Sequence, residues 1–467
     1  MLPGPIDSRG AADPMMPTDV PKTIGEGGRR VWLYPEWFRG RWLLARTWVH
    51  LGLMAVLLVG PWIDIGSHPA ARIDIVGRRI HFWGLHLFAT DGAYFLFAFG
   101  FVVFSVFLFT ALFGRVWCGW ACPQTVFLES LVRPIERLIE GSAQQRRKLD
   151  AAPWTAAKLA RKLAKYSAYL VIAGGIGTTF TAYFLGRQGT FEAQLHPSSH
   201  PAGTFTFLFI TGLLLFDFAY FREQVCLVVC PYGRFQSALL DKHSLTVMYD
   251  QPRGEPRGKK GTQGAGDCVD CGRCVAVCPT GTDIRRGVTM ECVQCMACLD
   301  ACDDIMLKLH RPPKLIRISS EASIGGAKQT FWRARVGVYA AGLTVVVGGF
   351  AFGVVQRSDV ELNVSRQVGA PYVVRPDGAV QNSMQLRIAN KSETTGSFVV
   401  EPVSPTNLEL VTPVSPFVVK AGAVSHMPVF LVLPAGNTGK QTVTLRVHDD
   451  GEFSEEIQTQ FVGPGAP

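Results

Sequence analysis

Long apolar runs alternate with basic, glycine-rich loops over most of the chain, and the pattern changes near the end to short stretches of period two. Five runs are long and uncharged enough to span a bilayer as helices: Trp48 to Ile65, Tyr94 to Phe113, Tyr166 to Leu185, Thr204 to Phe221 and Val336 to Val355. Asp64 lies near the end of the first and Asp217 lies inside the fourth, so a buried core helix is the competing reading there. Beyond Val355, alternating stretches at Val360 to Val364, Met384 to Ile388, Phe417 to Val419, Met427 to Leu433 and Thr442 to Val447 are separated by Pro, Gly and Asn turns. This pattern predicts an immunoglobulin-like β-sandwich with a binding or scaffolding role.

The polar stretches divide the rest. Residues 1–45 read as a polar tail and an interfacial segment in which Trp32, Trp37, Phe38, Trp42 and Trp48 interleave with Arg39, Arg41 and Arg46. No apolar signal-peptide core lies near Met1. Residues 46–250 read as a four-helix transmembrane bundle and 251–266 as a flexible tether, QPRGEPRGKKGTQGAG. A cysteine-rich module follows at 267–310, then a connector and fifth span at 311–355, and the sandwich at 356–467.

Charge orients this scheme. Of 46 Lys and Arg residues, 34 fall before the first span, between the second and third, and between the fourth and fifth. The positive-inside rule puts those segments in the cytoplasm, with the sandwich outside. The net charge of +9 is accounted for by topology and anionic lipid, and calls for no nucleic acid.

Eight of the 12 cysteines repeat one spacing, Cys268-x2-Cys271-x2-Cys274-x3-Cys278-Pro279 and Cys292-x2-Cys295-x2-Cys298-x3-Cys302. That spacing wraps two 4Fe–4S clusters, each taking three ligands from one copy and the fourth from the other. Cys268, Cys271, Cys274 and Cys302 would bind one cluster, and Cys278, Cys292, Cys295 and Cys298 the second. Zinc sites are the competing reading. Asp303 stands where a Pro usually follows the fourth cysteine, which bears on a turn and on one cluster potential, not on ligation.

The other four cysteines form two CxxxCP motifs, Cys118 to Pro123 and Cys226 to Pro231, each after a span; aligned on them, Phe127 falls on Phe235 and Leu131 on Leu239. This reads as a duplicated two-helix unit whose corners meet at the cytoplasmic face. Cysteines four apart on a helix share a face, so Cys118, Cys122, Cys226 and Cys230 are candidate copper or redox thiols. They could equally form a transient disulfide, hold another cofactor, or simply pack. His68, His81, His86, His196 and His200 lie in outward loops as solvated residues or metal relays, and Asp217 either relays a proton or caps a polar network.

With these residues in hand, the chain resembles the cytochrome oxidase accessory protein family known as CcoG, FixG or RdxA. The resemblance rests on WCGWACPQTVF at Trp117 to Phe127, VCPYGRFQ at Val229 to Gln236, the run Cys268 to Cys302 and ELNVSR from Glu361. Membrane polyferredoxin subunits of quinol dehydrogenases share the motif core, and the terminal sandwich separates the two. The resemblance implies a multi-pass protein of the bacterial inner membrane that reduces Cu(II) to Cu(I) for copper delivery in assembly of cbb-type cytochrome oxidase. Implied partners are copper ions, copper-handling proteins and oxidase assembly factors, with a quinol or a soluble carrier as electron donor. The alternatives are a quinone-linked electron conduit without copper and a non-redox assembly scaffold.

Overall fold

The computed structural model describes residue 23 and residues 30–467 apart from 67, 76–78, 89–91, 260–261, 357, 393, 437, 450, 452 and 466–467. Most of the expected amino-terminal tail, 1–22 and 24–29, lies outside the described residues. The chain forms two compact units, Met1–Phe350 and Ala351–Pro467.

Among the described residues, five helices are long and apolar enough to cross a membrane: α1 (Arg41–Trp62), α2 (Tyr94–Phe113), α3 (Ala156–Leu195) and α4 (Pro201–Phe221) in the first unit, and α5 (Ala334–Val355), which runs past its end. They are apolar all round rather than along one stripe, as lipid-facing helices are. α3 starts ten residues before the expected Tyr166 and ends ten after Leu185. Hydropathy stopped where charges begin, but the helix does not: Lys162 and Lys165 sit on its side and pair with Glu140 at 2.7 and 2.9 Å. Gly186, at φ 72°, kinks it near the far end.

A two-stranded sheet, Thr246–Tyr249 against Ile316–Ser319, closes the cysteine-rich module like a clasp. Inside the clasp, Val247, Tyr249, Ile284, Leu299, Met306, Leu315 and Ile316 form an apolar core that also holds Cys268 and Cys274. The stretch 251–266, whose composition reads as a tether, folds against this module. Gln251–Gly254 is a helical turn, Arg253 pairs with Asp267 at 2.5 Å, and the Gly258 N–H donates to the Cys268 carbonyl at 3.2 Å. Its glycines and prolines serve tight turns here.

The interfacial segment is a strap, not a helix, until Arg41. Its Glu36 N–H donates to the Ala276 carbonyl at 2.8 Å, and its carboxylate pairs with Arg273 at 2.7 Å. At the start of α1 the Asp300 carboxylate accepts the Trp42 and Leu43 N–H groups at 3.0 and 3.1 Å. A carboxylate from the module thus caps a membrane helix whose N-terminus carries no acidic residue of its own. Gly40 makes the approach possible, since a Cβ there would lie 2.2 Å from the Asp300 side chain.

The second unit is all-β. β1 (Val360–Arg366), β2 (Val373–Val374), β3 (Val380–Asn390), β4 (Gly396–Ser404), β5 (Glu409–Val411), β6 (Phe417–Val419), β7 (Val424–Leu433), β8 (Lys440–Asp449) and β9 (Ser454–Val462) make two antiparallel sheets. The orders are β5-β7-β3-β1, with β2 on β3, and β6-β4-β8-β9. Met384, Leu386, Ile388, Phe398, Val429, Leu431, Val443, Leu445 and Phe461 fill the space between them, each from the inward face of an alternating strand.

Candidate functional site

The eight module cysteines surround two small hollows of about 20 Å3 each. Cys268, Cys271, Cys274 and Cys302 line one, with Tyr249, Arg285, Met306 and Ile316. Cys278, Cys292, Cys295 and Cys298 line the other, with Val247, Thr280, Thr282 and Ile284, and Cys274 reaches its edge. The backbone curls the same way in both copies. Asp270 and Gln294, and again Gly272 and Met296, occupy matching places in the spacing with φ of 52, 52, 67 and 64°. Three of the four are not glycine, a cost borne where the loop must turn its thiols inward.

Among the described residues, no group of three or more His, Cys, Asp or Glu side chains closes on a point that could hold a single metal ion. Thiols held apart around an apolar hollow fit a 4Fe–4S cluster, and backbone N–H groups of Gln294 and Ala297 favour the charged forms of Cys292 and Cys295 against the burial that pushes both thiols up.

The two CxxxCP corners share one build, but it is not a continuous helix face. Cys118 belongs to a short helix, Val116–Trp120, and Cys122 is the extended residue that begins a new one, Pro123–Phe127. Cys226 lies in a wide turn, Val225–Val229, and Cys230 begins Pro231–Leu239. In each copy the second cysteine's N–H reaches five residues back, Cys122 to the Trp117 carbonyl at 2.9 Å and Cys230 to Val225 at 2.7 Å. Proline cannot continue the first helix, so the break comes one residue before it.

The four thiols share one neighbourhood. Burial pushes Cys118 and Cys122 up, and it pushes Cys226 up to about 12, helped by the charges of Cys122, Cys118 and Cys230. Cys118 donates to Gln236 Oε1 at 3.1 Å, and Gln236 in turn donates to Thr110 at 3.2 Å.

The junction between this neighbourhood and the module is tight. Cys118, Val293 and Cys295 form one buried cluster, with Cys226 and Tyr232 packed on it. Gly119 faces the loop directly: a Cβ there would lie 2.4 Å from the Val293 carbonyl oxygen and 2.9 Å from the Cys295 nitrogen. Beside it, Arg115 is 4% exposed; its guanidinium bonds Cys118, and its charge reaches both Cys226 and Cys292. Arg115, Gly119, Tyr232 and Gln236 were not singled out from the sequence. The available signal was asymmetry between the copies, since Gly119 and Arg115 fall on Leu227 and Glu223.

Asp217 sits in a polar network. It is buried and accepts Gln124 Nε2 at 2.9 Å, and Gln124 also donates to the Arg222 carbonyl at 2.9 Å, two residues beyond Cys122. Arg222 grips Glu136 through two bonds of 2.8 and 2.9 Å, and Arg146 and Tyr169 complete that carboxylate's shell at 2.7 and 2.9 Å. Of the loop histidines, His81 and His86 stand opposite each other in the register of two paired strands. His81 is buried in a small sheet, His196 ends α3, and His200 pairs with Glu192 at 3.2 Å, while the His68 and His86 side chains lie outside those described.

The sequence matches three family models: a 4Fe-4S binding domain at 94–140, a 4Fe-4S dicluster domain at 221–321 and the IG-like fold at the C-terminal of FixG at 350–464. It is 32% identical to protein RdxA of Cereibacter sphaeroides over 453 residues, covering 90% of this chain and 94% of that one. It is 31% identical to nitrogen fixation protein FixG of Rhizobium meliloti, covering 93% of each. The ferredoxin-type protein NapH of Haemophilus influenzae is 24% identical and covers 62% of this chain.

Proposed function

The chain belongs to the FixG and RdxA family of 4Fe–4S ferredoxin-type membrane proteins, and from that membership we propose that it is a cupric reductase, turning Cu(II) into Cu(I) for copper delivery in assembly of cbb-type cytochrome oxidase. That it is an iron–sulfur electron-transfer protein of a membrane follows from the family itself.

In this reading Cys268, Cys271, Cys274 and Cys302 hold one 4Fe–4S cluster, and Cys278, Cys292, Cys295 and Cys298 hold the other. Bound there, the clusters supply one-electron transfer. Cys118, Cys122, Cys226 and Cys230 receive copper, and soft thiolates favour the Cu(I) product over the Cu(II) substrate. Copper is cargo in this reading. Gln236 and Arg115 orient and charge-balance Cys118, while Gln124 and Asp217 hold the turn beyond Cys122. The basic segments, the module and the amino terminus face the cytoplasm, with the sandwich outside.

The observation that carries the proposal is the seat of the Val293–Cys295 backbone on Gly119, between Cys118 and Cys122, which packs the wall of one hollow against the thiol corner. The test is anaerobic. Protein carrying about eight irons per chain is reduced with dithionite and freed of excess, then given Cu(II) and a Cu(I)-specific chelator. About two Cu(I) per chain should appear as the clusters reoxidise, and Cys122→Ser or Cys230→Ser should abolish this with both clusters intact. Reduction that persists in those variants would remove the thiols from the mechanism. No reduction at all would favour a quinone-linked conduit without copper.

A further inference from the structure

A cavity of about 890 Å3 lies between the strap, the first turns of α1, the helix Arg133–Glu140 and the cysteine module. We propose that it binds a membrane-dissolved hydroquinone, the electron donor of this protein. The proposal rests on a cluster being held by Cys278, Cys292, Cys295 and Cys298, and not on copper being the substrate.

Three features carry it. First, Leu44, Thr47 and Leu51 line one wall and are themselves exposed on α1, a candidate membrane span, so the cavity opens along the side of that helix. An apolar tail can lie there without crossing water. Second, its inner wall is polar and donor-rich. Glu129 is held between Arg46 at 3.2 Å and Arg133 at 3.0 Å, and His50 meets Ser130 at 2.8 Å. Arg46 and Arg146, 4% and 6% exposed, keep the N–H donors Nη1 and Nε without a partner, as Arg133 keeps its Nε. Glu129 Oε1 is likewise without a hydrogen-bond partner, but donors outnumber acceptors on this wall, which suits an oxygen acceptor on the occupant. Third, Val277, Pro279 and Ala297, next in sequence to Cys278 and Cys298, also line the cavity, and Arg133 donates to the Pro279 carbonyl at 3.0 Å.

An apolar tail with an oxygen-bearing head describes a hydroquinone and an anionic lipid alike. The third feature favours the hydroquinone, since a lipid has no reason to end against the cluster loop. The cationic wall also stabilises the hydroquinone anion, which gives up electrons more readily than the neutral form. The hydroquinone loses two electrons and two protons and leaves as quinone. The clusters that the eight module cysteines would hold would supply the acceptor for one electron each, and the two protons would pass to water.

The test uses holoprotein in nanodiscs of zwitterionic lipid. An azido-ubiquinone should cross-link to residues of this cavity and be displaced by unlabelled quinone, and decylubiquinol should bleach the clusters. Thr47→Trp or Leu51→Trp, filling the mouth from exposed positions, should cut both at least tenfold while dithionite still reduces the clusters fully. Leu163→Trp, on the exposed side of α3, should change neither. Cross-linking elsewhere, displacement by cardiolipin but not by quinone, or bleaching unaffected by both mouth variants would overturn the proposal. If dithionite-reduced protein still makes Cu(I) in those cases, the donor site fails while the cupric reading stands.

Discussion

Replacing Gly119 with Ala tests the junction between the thiol corner and the module with the smallest possible change. The added methyl carbon would lie 2.4 Å from the Val293 carbonyl oxygen, 2.9 Å from the Cys295 nitrogen and 3.0 Å from the Cys295 Cα. Ordinary contacts of carbon with backbone atoms lie roughly 0.5–1 Å farther out, so the loop must retreat. All three crowded atoms are backbone, which cannot rotate out of the way as a side chain can. Overpacking of this kind costs about 1–3 kcal/mol, and here it falls on the segment that presents Cys292 and Cys295. The variant should lose its visible cluster absorbance at a temperature several degrees lower and retain less iron per chain, and Cu(I) formation per remaining cluster should fall. Leu227→Ala, at the matching place in the second copy, is the control and should keep its clusters. Full iron content, unchanged melting and unchanged Cu(I) yield in Gly119→Ala would refute the close seat and, with it, the observation on which the cupric reading depends.

Other residues give independent checks. Arg115→Met removes a buried positive charge that acts on Cys292; at an effective dielectric near 20 such a charge is worth ~2 kcal/mol, so potentiometric EPR should show one cluster potential falling by tens of millivolts and the other holding. Glu136→Gln strips the counter-charge from Arg222 and Arg146 and should cost ~3–5 kcal/mol, read as protease sensitivity or loss of folded yield in detergent. Burial opposes the charge on Glu136, but Arg222 and then Arg146 outweigh it and hold its pKa down at about 2. Because that pKa is depressed, the stabilisation is present above the ordinary carboxylate range near 4.5 and disappears as pH falls from there toward 2. That window is worth about 3 kcal/mol, and wild type should lose stability across it more steeply than Glu136→Gln does. Asp300→Ala should free the start of α1, detected as faster hydrogen exchange at Trp42 and Leu43 with iron content kept.

Features set by neighbours in sequence were legible from the sequence. The cysteine spacing placed all eight thiols in one module, because short x2 gaps leave a loop few ways to present them, and Cys274 lines both hollows. The five apolar helices were legible for the same local reason, and α3 was underestimated only where its lysines sit on neighbouring carboxylates. The CxxxCP pairs were misjudged as one helical face because a spacing of four was weighed above the proline that breaks it. Contacts between distant residues left no local trace. The Asp300 cap joins residues 258 apart, and the Gly119 seat depends on a loop more than 170 residues away. Glycine and proline in 251–266 are equally compatible with a tether and with the tight turns observed.

The duplicated corners also explain why the cluster loop seats its backbone on the first copy, while the second copy meets it only through Cys226 and Tyr232. Both keep the cysteines, the proline and the reach of the second cysteine's N–H back five residues, so the fold of the corner is common to both. Just before and within the motif they diverge in charge and bulk. The first has Arg115 and Gly119, a cation and an open backbone, where the cluster loop arrives. The second has Glu223 and Leu227 in those places, and Glu223 turns to an ionic network with Arg30 at 3.2 Å and Arg222 at 3.8 Å. A cation suits the corner beside an anionic cluster; a carboxylate there would repel it. Exchanging the pair within one chain, Arg115→Glu with Glu223→Arg, should therefore keep the net charge but lower iron retention. Retained iron would mean that the loop is placed by shape alone.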